Sequence, residues 1–282
     1  MISVLIVNYF SATMLLECAK SLKGIHELVV VDNSADPGER QTLETLRQTQ
    51  KVKLIFNSQN LGFAKAVNQA AAEAEGDLLL ILNPDTYLFD TTLPLLKAEL
   101  AKDKVGAVGP FIQFPDGREQ GGARRLAPSP GRAIAKLLGL TRLGISRDYD
   151  LSKTELPKAP QPVEVLSGAC MLLSKDLYEE LGGMDEAYIM HCEDLDLCMR
   201  IKLKGLELVF VPDAKVVHVK GHSSNRQPLW VAWHLHKGML LYYRKYFRAR
   251  YSAPMWFLVV ASVYARFIVF SMIKLAKQLL GK

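Results

Sequence analysis

Polar groups able to bind or catalyse recur at one kind of place in this chain, directly after a short apolar run. Residues 2–7 run into Asn8-Tyr9, and 28–31 run into Asp32-Asn33-Ser34. Residues 52–56 run into Asn57 and then Asn60-Leu61-Gly62-Phe63, and 78–82 run into Asn83-Pro84-Asp85. Carboxylates and amides hold a nucleotide or a hard divalent cation. The second half adds Glu193-Asp194-Leu195-Asp196 at the start of a helical pattern. Carboxylates in a first turn are held ionised by the helix dipole and could supply a general base, although plain capping uses the same residues. Asp196 and Arg200 are spaced to pair across one turn. His218 ends another apolar run, with Gly221, His222 and Ser223 close behind, and could be a ligand or a structural histidine.

These groups need a scaffold that brings distant positions together. The four N-terminal apolar runs, separated by helical stretches at 12–22, 38–50 and 64–74, predict buried parallel strands in a βαβ rhythm. Ligands bind beyond the carboxyl ends of such strands, so one sheet edge would carry Asn8, Asp32, Asn60 and Asp85. A helix at 93–102 and a short strand at 105–108 complete residues 1–109. Residues 110–162 are rich in Pro and Gly and predict an irregular functional loop. Arg124 and Arg125 in it would be solvated cations or phosphate contacts. Strands at 163–173, 208–211 and 215–219 and helices at 176–181 and 194–204 follow.

Length and composition predict one α/β core with additions rather than two domains: 282 residues, 49% hydrophobic. Cys18, Cys170, Cys192 and Cys198 show no C-x-x-C spacing, so neither a disulfide framework nor a cysteine metal cluster is expected. A strand pattern beginning at Ile2, without a basic leader, predicts no signal peptide.

The net charge of +6 conceals an asymmetry. Residues 214–282 hold twelve Lys and Arg and no acid, while the rest carries 23 basic against 29 acidic residues, a net of −6. A basic tail on an acidic body suggests an anionic surface. The apolar run 255–273 favours lipid over nucleic acid. Arg266 near its middle is costly in a spanning helix. Cations at both ends suit a helix lying in the headgroup plane, with Trp256 and Phe257 dipping inward. A marginal span, or packing on the core or a second subunit, are the other options.

Taken together, the motifs resemble inverting glycosyltransferases of family 2, and within them the rhamnosyltransferase-like branch. The resemblance rests on Val7-Asn8-Tyr9, Val31-Asp32-Asn33-Ser34, Asn60-Leu61-Gly62-Phe63 with Asn68, and Asn83-Pro84-Asp85. It continues through Gly168-Ala169, Gly182-Gly183-Met184-Asp185-Glu186, Glu193-Asp194-Leu195-Asp196-Leu197-Cys198 with Arg200, and His218 with Gly221 and Ser223. It implies a GT-A fold, an α/β Rossmann-like mixed sheet flanked by helices. Residues 1–224 would form the catalytic domain: a nucleotide-binding half (1–109), the irregular loop (110–162) and an acceptor and catalytic half (163–224). Residues 225–282 would form a helical membrane-associating region.

The resemblance also implies roles. The donor would be a dTDP- or UDP-sugar, with dTDP-rhamnose leading and UDP-linked galactofuranose or glucose as alternatives. Asp32 would accept from N3–H of thymine or uracil, and Asn8 and Asn60 would hold base and ribose. Asp85 ends the family's D-x-D metal motif, whose first position is here Asn83, an uncharged ligand or none. Asp85 and His218 would hold Mg²⁺ or Mn²⁺. Gly168 and Ala169 would wall the sugar pocket. Asp194 would be the base, with Glu193 as the alternative or an orienting partner, and Asp196 would hold the helix start through Arg200. The acceptor would be a lipid-linked glycan at the cytoplasmic membrane face; no nucleic acid is expected. A nucleotidyltransferase ranks lower because no Gly-rich loop with a phosphate-gripping Lys or Arg follows the first strand. A non-catalytic membrane-associated module would be suspected only if Asp85 or Asp194 were missing.

Overall fold

The structure is a computed structural model and describes residues 1–48, 51–137, 148–219 and 228–279. β1 (Ile2–Asn8) leads through α1 (Ala12–Lys20) to β2 (Glu27–Asp32), and through α2 (Pro37–Glu44) to β3 (Val52–Phe56). α2 starts where its sequence dictates: Asp36 accepts from the amides of Gly38 and Glu39, and Pro37 occupies the first turn. α3 (Phe63–Glu73), β4 (Leu78–Leu82), β5 (Thr86–Leu88), α4 (Thr92–Leu100) and β6 (Val105–Gln113) follow. Next come β7 (Arg124–Arg125), α5 (Pro130–Leu137), β8 (Gln161–Val163), β9 (Val165–Leu166), β10 (Cys170–Ser174) and α6 (Lys175–Glu180). α7 (Glu193–Leu203), β11 (Glu207–His218), α8 (Pro228–Phe247) and α9 (Ala253–Leu279) end the chain.

The main sheet runs β3-β2-β1-β4-β10-β6-β11-β5, with β8 also on β11, while β7 and β9 pair separately. β1 to β4 are mutually parallel, and β10 enters antiparallel between β4 and β6. The expected mixed sheet is therefore present. All seven residues of β1 are buried because both its edges are bonded and both its faces are covered. Alternate side chains serve the two faces. Leu5, Val29, Val31, Leu79 and Ile81 meet α3 and α7, and Val4, Ile6, Val30, Leu80 and Leu82 meet α1 and α4. Each fully buried aliphatic side chain contributes ~1.5–3 kcal/mol. Parallel register sets Asn8 beside Asp32 and Asp32 beside Phe56. The polar residues after these strands thus share one edge, at the point where chain order reverses between β1 and β4.

Several expected elements differ in detail. The strand expected at 105–108 continues to Gln113, and β5 is an additional strand, held by antiparallel pairing with β11. The run 163–173 is broken by a turn at Ser167, Gly168 and Ala169, which separates β9 from β10. The two strands expected at 208–211 and 215–219 are one strand, β11, with a register shift between Val211 and Lys215. Residues 110–162 contain β7, α5, β8 and a one-turn 3-10 helix at Leu151–Lys153. Their order comes from tertiary pairing, which local periodicity does not encode. The four cysteines are free and buried.

The C-terminal region is helical, in two distinct environments. α8 buries Ala232, His236, Tyr242, Tyr243 and Phe247. α9 buries Val259 and exposes Phe257, Leu258, Ile268, Val269, Met272 and Ile273. Its segment Ala253–Lys274, with mean hydropathy 2.0, is long and apolar enough to cross a bilayer.

Candidate active site

The candidate nucleotide edge is a closed network around Asp32. Asn8 donates through Nδ2 to Asp32 Oδ1 (2.8 Å) and Glu39 Oε2 (2.9 Å), and its Oδ1 accepts from the Ser11 amide. Asn8 is fully buried and committed to protein partners, so it braces Asp32. Asp32 also accepts from the Ser34 amide through Oδ1. Among the described residues its recorded bonds all use Oδ1, and a carboxylate keeps acceptor capacity on its other oxygen. Asn33 bonds the Gly62 carbonyl, tying β2 to the Asn60 loop. Asn60 is exposed, and its Oδ1 accepts from the Gly62 amide, an Asx-type turn. Sequence reading missed Ser34 and Glu39. Ser34 lay inside a quoted motif, whereas Glu39 looks like ordinary first-turn acid in α2.

Asp85 and His218 meet across the β4–β5 turn and the end of β11. His218 Nε2 lies 3.0 Å from Asp85 Oδ1. His218 Nδ1 lies 2.6 Å from Gln120 Oε1, while the Gln120 amide nitrogen donates to the His218 carbonyl. That arrangement assigns the Nδ1 proton to the bond with Gln120. The Nε2 lone pair then faces a carboxylate oxygen, an arrangement completed by a cation or a second proton. Asn83 Nδ2 stands 3.4 Å from the same Nε2, and its amide bonds the Ala169 carbonyl. Asp85, His218 and Gln120 are all buried. Gln120 lay in the segment read as an irregular loop, and nothing local marked it. Gly221, His222 and Ser223 lie outside the described residues. A separate cluster, His26, Glu27 and Glu75, sits at the opposite, amino-terminal edge of the sheet. Lys51 and Lys53 already pair with its carboxylates, so it lacks free anionic donors.

The candidate catalytic turn lies where α7 begins. His191 and Cys192 both adopt left-handed backbone, at φ 66° and 71°. This costs of order 1–3 kcal/mol per non-glycine residue and is held by surrounding packing. Asp194 accepts from the Leu195 amide (2.8 Å) and the Gly168 amide (3.3 Å), and ion-pairs with Arg125. Gly168 is needed for this approach, because a Cβ there would stand 3.3 Å from Asp194 Cβ. Glu193 is buried with Oε2 unpartnered. Burial first, and the charge of Asp194 second, push its carboxyl from 4.5 up to about 8. The helix dipole therefore does not keep Glu193 ionised at neutral pH. Desolvation outweighs it, because the dipole is worth ~0.3–1 kcal/mol. Asp196 bonds Arg200 Nε at 2.7 Å, as its spacing implied.

Neither arginine of the loop is a solvated cation. Arg124 is buried and grips Glu119 through Nε (2.7 Å) and a terminal nitrogen (3.0 Å). Arg125 points at Asp194 and also donates to the Leu166 carbonyl. A cavity of about 540 Å³ opens over Glu193, Asp194 and Arg125, and His236, Tyr243 and Arg266 close it from α8 and α9.

The model of glycosyl transferase family 2 matches residues 3–182, which hold the Asp32 edge, Asp85 and the Gly168 turn, while His218 and the Glu193–Asp194 helix start lie beyond the matched stretch. The chain belongs to this family. It is similar to the N-acetylglucosaminyl-diphospho-decaprenol L-rhamnosyltransferase of Mycobacterium tuberculosis, with 30% identity over 71% of this chain and 69% of that one. It is also similar to rhamnosyltransferase WbbL of Escherichia coli, 30% identical over 60% of this chain and 62% of the relative. Its fold is that of GalNAc-T7 solved with UDP, GalNAc and Mn²⁺ (TM-score 0.58, 20% identity), covering 77% of this chain and 43% of that one. It is also that of a Pyrobaculum calidifontis mannosyltransferase solved with GDP-Man and Mn²⁺ (TM-score 0.59, 19% identity), covering 94% and 69%. This family 2 glycosyltransferase thus has a GT-A-like sheet and stands in the rhamnosyltransferase-like branch.

Proposed function

We propose that the protein transfers L-rhamnose, with inversion, from dTDP-rhamnose to a lipid-linked glycan at the cytoplasmic membrane face. The observation that carries this reading is Asp194, set at the Gly168 amide in a cavity that α8 and α9 wall on one side. The similarity to two rhamnosyltransferases supports the sugar, and the decaprenol-linked acceptor of the mycobacterial relative supports the acceptor class.

Asp32, braced by Asn8 and Ser34, accepts from N3–H of the base. The turn at Gly168 and Ala169 borders the sugar. Asp85 and His218, with Asn83 beside them, suit a hard divalent cation. Bound there, Mg²⁺ or Mn²⁺ supplies positive charge to the diphosphate. Asp194 takes the proton of the acceptor hydroxyl as its oxygen bonds the anomeric carbon. The carbon–oxygen bond to the diphosphate breaks, and its electron pair leaves with dTDP. Arg125 holds the carboxylate in place. α9 lays its apolar face on the membrane, with the cations of residues 244–250 at the headgroups.

The test is a donor panel of dTDP-rhamnose, UDP-glucose, UDP-galactofuranose and a GDP-sugar. Each is incubated with a lipid-diphosphate-linked N-acetylglucosamine and followed by mass spectrometry. A deoxyhexose added from dTDP-rhamnose alone is the expected product. Transfer from the GDP-sugar at the same rate sinks the Asp32 assignment, and transfer from a UDP-sugar alone replaces rhamnose.

A further inference from the structure

Arg266 interrupts an otherwise apolar stretch of α9, and the structure shows what it faces. Val259, Ser262, Val263 and Arg266 follow the spacing of one helical stripe. The first three turn toward the body of the protein, and Arg266 ends that stripe at the mouth of the catalytic cavity. Phe257, Leu258, Ile268, Val269 and Met272 occupy the outward faces. The charge is therefore carried on the cavity side of a helix whose other side is apolar.

Charge balance in that cavity is incomplete. Asp194 is offset by Arg125. Burial, and then the Asp194 charge, push the Glu193 carboxyl up and favour its protonated form. Among the described residues, no ion pair or hydrogen bond to the Arg266 side chain is recorded. Beside it His236, in the third turn of α8, is buried. Its Nδ1 donates to the Ala232 carbonyl at 2.7 Å, and its Nε2 has no partner. Its charged form is disfavoured by burial and then by Arg266 itself, so it adds no cation while the cavity is empty of anions. Arg266 thus stands solvent-exposed at the cavity mouth without a protein anion among the described residues, beside the buried and unpartnered Nε2 of His236.

We propose that Arg266, with His236 beside it, receives the phosphate through which the acceptor's sugar is joined to its lipid. This rests on the glycosyl-transfer reading above and deepens it. The donor's diphosphate is assigned to the Asp85–His218 end of the sheet. An anion at Arg266 therefore belongs to the second substrate. The apolar outer face of α9 beside Arg266 says that this anion carries a hydrocarbon chain. A guanidinium presents two parallel N–H groups to phosphate oxygens, which suits Arg better than Lys at this position. Anchoring the phosphate there places the sugar attached to it over Asp194.

The test is calorimetry on the full chain in neutral detergent, with farnesyl diphosphate, farnesol and inorganic diphosphate as probes. Binding is read without turnover, so it stands apart from the transfer assay. The parent is expected to bind farnesyl diphosphate about tenfold tighter than either other probe, the factor that one charge-assisted hydrogen-bonded contact supplies. Arg266→Gln should erase the preference over farnesol, and Arg266→Lys should restore part of it. Binding of dTDP and the far-ultraviolet circular dichroism report that the Gln variant is folded. The proposal is overturned if the parent binds farnesol as tightly as farnesyl diphosphate, or if Arg266→Gln keeps the preference. It is equally overturned if inorganic diphosphate binds as tightly, which would make the site a receptor for free anions. If binding behaves as expected while no donor is turned over, the transfer reading fails and the phosphate site stands.

Discussion

Glu193 offers a measurement that separates the two neighbouring carboxylates. In the fold its carboxyl titrates near pH 8, against 4.5 for an ordinary glutamate, because it is buried and lies beside the Asp194 charge. Between those two pH values the unfolded chain has released this proton and the native chain still holds it. Stability must then fall as pH rises, by ~1.4 kcal/mol per pH unit for one proton. The loss saturates once the native carboxyl has ionised as well. Glu193→Gln has the shape of the protonated acid and cannot ionise, so it escapes this loss. For a chain of this size 1 kcal/mol moves Tm by ~2–4 °C. The Tm of the Gln variant minus that of the parent should be flat below pH 4.5 and climb by ~3 °C or more per pH unit to pH 8. Above that it should level off. Differential scanning fluorimetry in matched-ionic-strength buffers reads this directly. A difference independent of pH would refute the reasoning, because it would mean that Glu193 is ionised in the fold. If the Gln variant also transfers sugar at near the parent rate, Asp194 is left as the base. An inactive Glu193→Gln beside an active Asp194→Asn reverses the assignment.

Three further outcomes follow from the same geometry. Asp194→Asn should lower transfer about a hundredfold or more while dTDP binding is retained, as single-turnover kinetics and calorimetry would show. Excess EDTA should abolish transfer, and Asp85→Ala and His218→Ala should each weaken Mn²⁺ binding. Gln120→Ala should weaken it about 10–100-fold through loss of the Nδ1 partner, and full activity in EDTA would remove the cation from the site. Deleting residues 254–282 should leave a folded protein that binds dTDP and no longer sediments with anionic liposomes. Unfolding of that truncation would assign α9 to the core.

Much of the sheet was legible because the information is local. A run such as 78–82 is apolar at every position, so it can only be a strand or helix buried all round, and its length selects the strand. The residues that follow these runs reach a common edge for the same reason. Gln120, Arg125 and Arg266 carry no such signal. Gln120 meets His218 across 98 residues and Arg125 meets Asp194 across 69. Both stand in a segment whose periodicity is weak. Arg266 was visible as a charge in an apolar run, but only the packing of α9 shows that it turns toward the cavity. Glu193 was misjudged for a different reason. The dipole at a helix start can be read from sequence, whereas the desolvation that outweighs it depends on what covers the helix.

The C-terminal helices differ in what they hold together. Asp196 is wholly buried, and its carboxylate takes Arg200 from α7 and Lys245 and Tyr246 from α8, each at 2.7 Å. Removing one partner of such a cluster leaves charge unpaired in a dry site, which costs ~3–5 kcal/mol. One turn before Asp196, just ahead of α7, lies the strained pair His191 and Cys192, and α8 lies directly against it. A Cβ at Gly238 would stand 3.0 Å from the His191 carbonyl oxygen. α8 therefore packs against the turn that carries Asp194, and a cut between residues 228 and 247 would remove part of that support. α9 makes no comparable polar anchor among the described residues, and it turns most of its apolar surface outward. On the membrane reading proposed above, a helix that docks on lipid would thereby be joined, through one intervening helix, to the segment that carries the proposed base. Attachment of that kind would fix the height of the candidate cavity above the bilayer, which a lipid-borne acceptor requires and a soluble one does not.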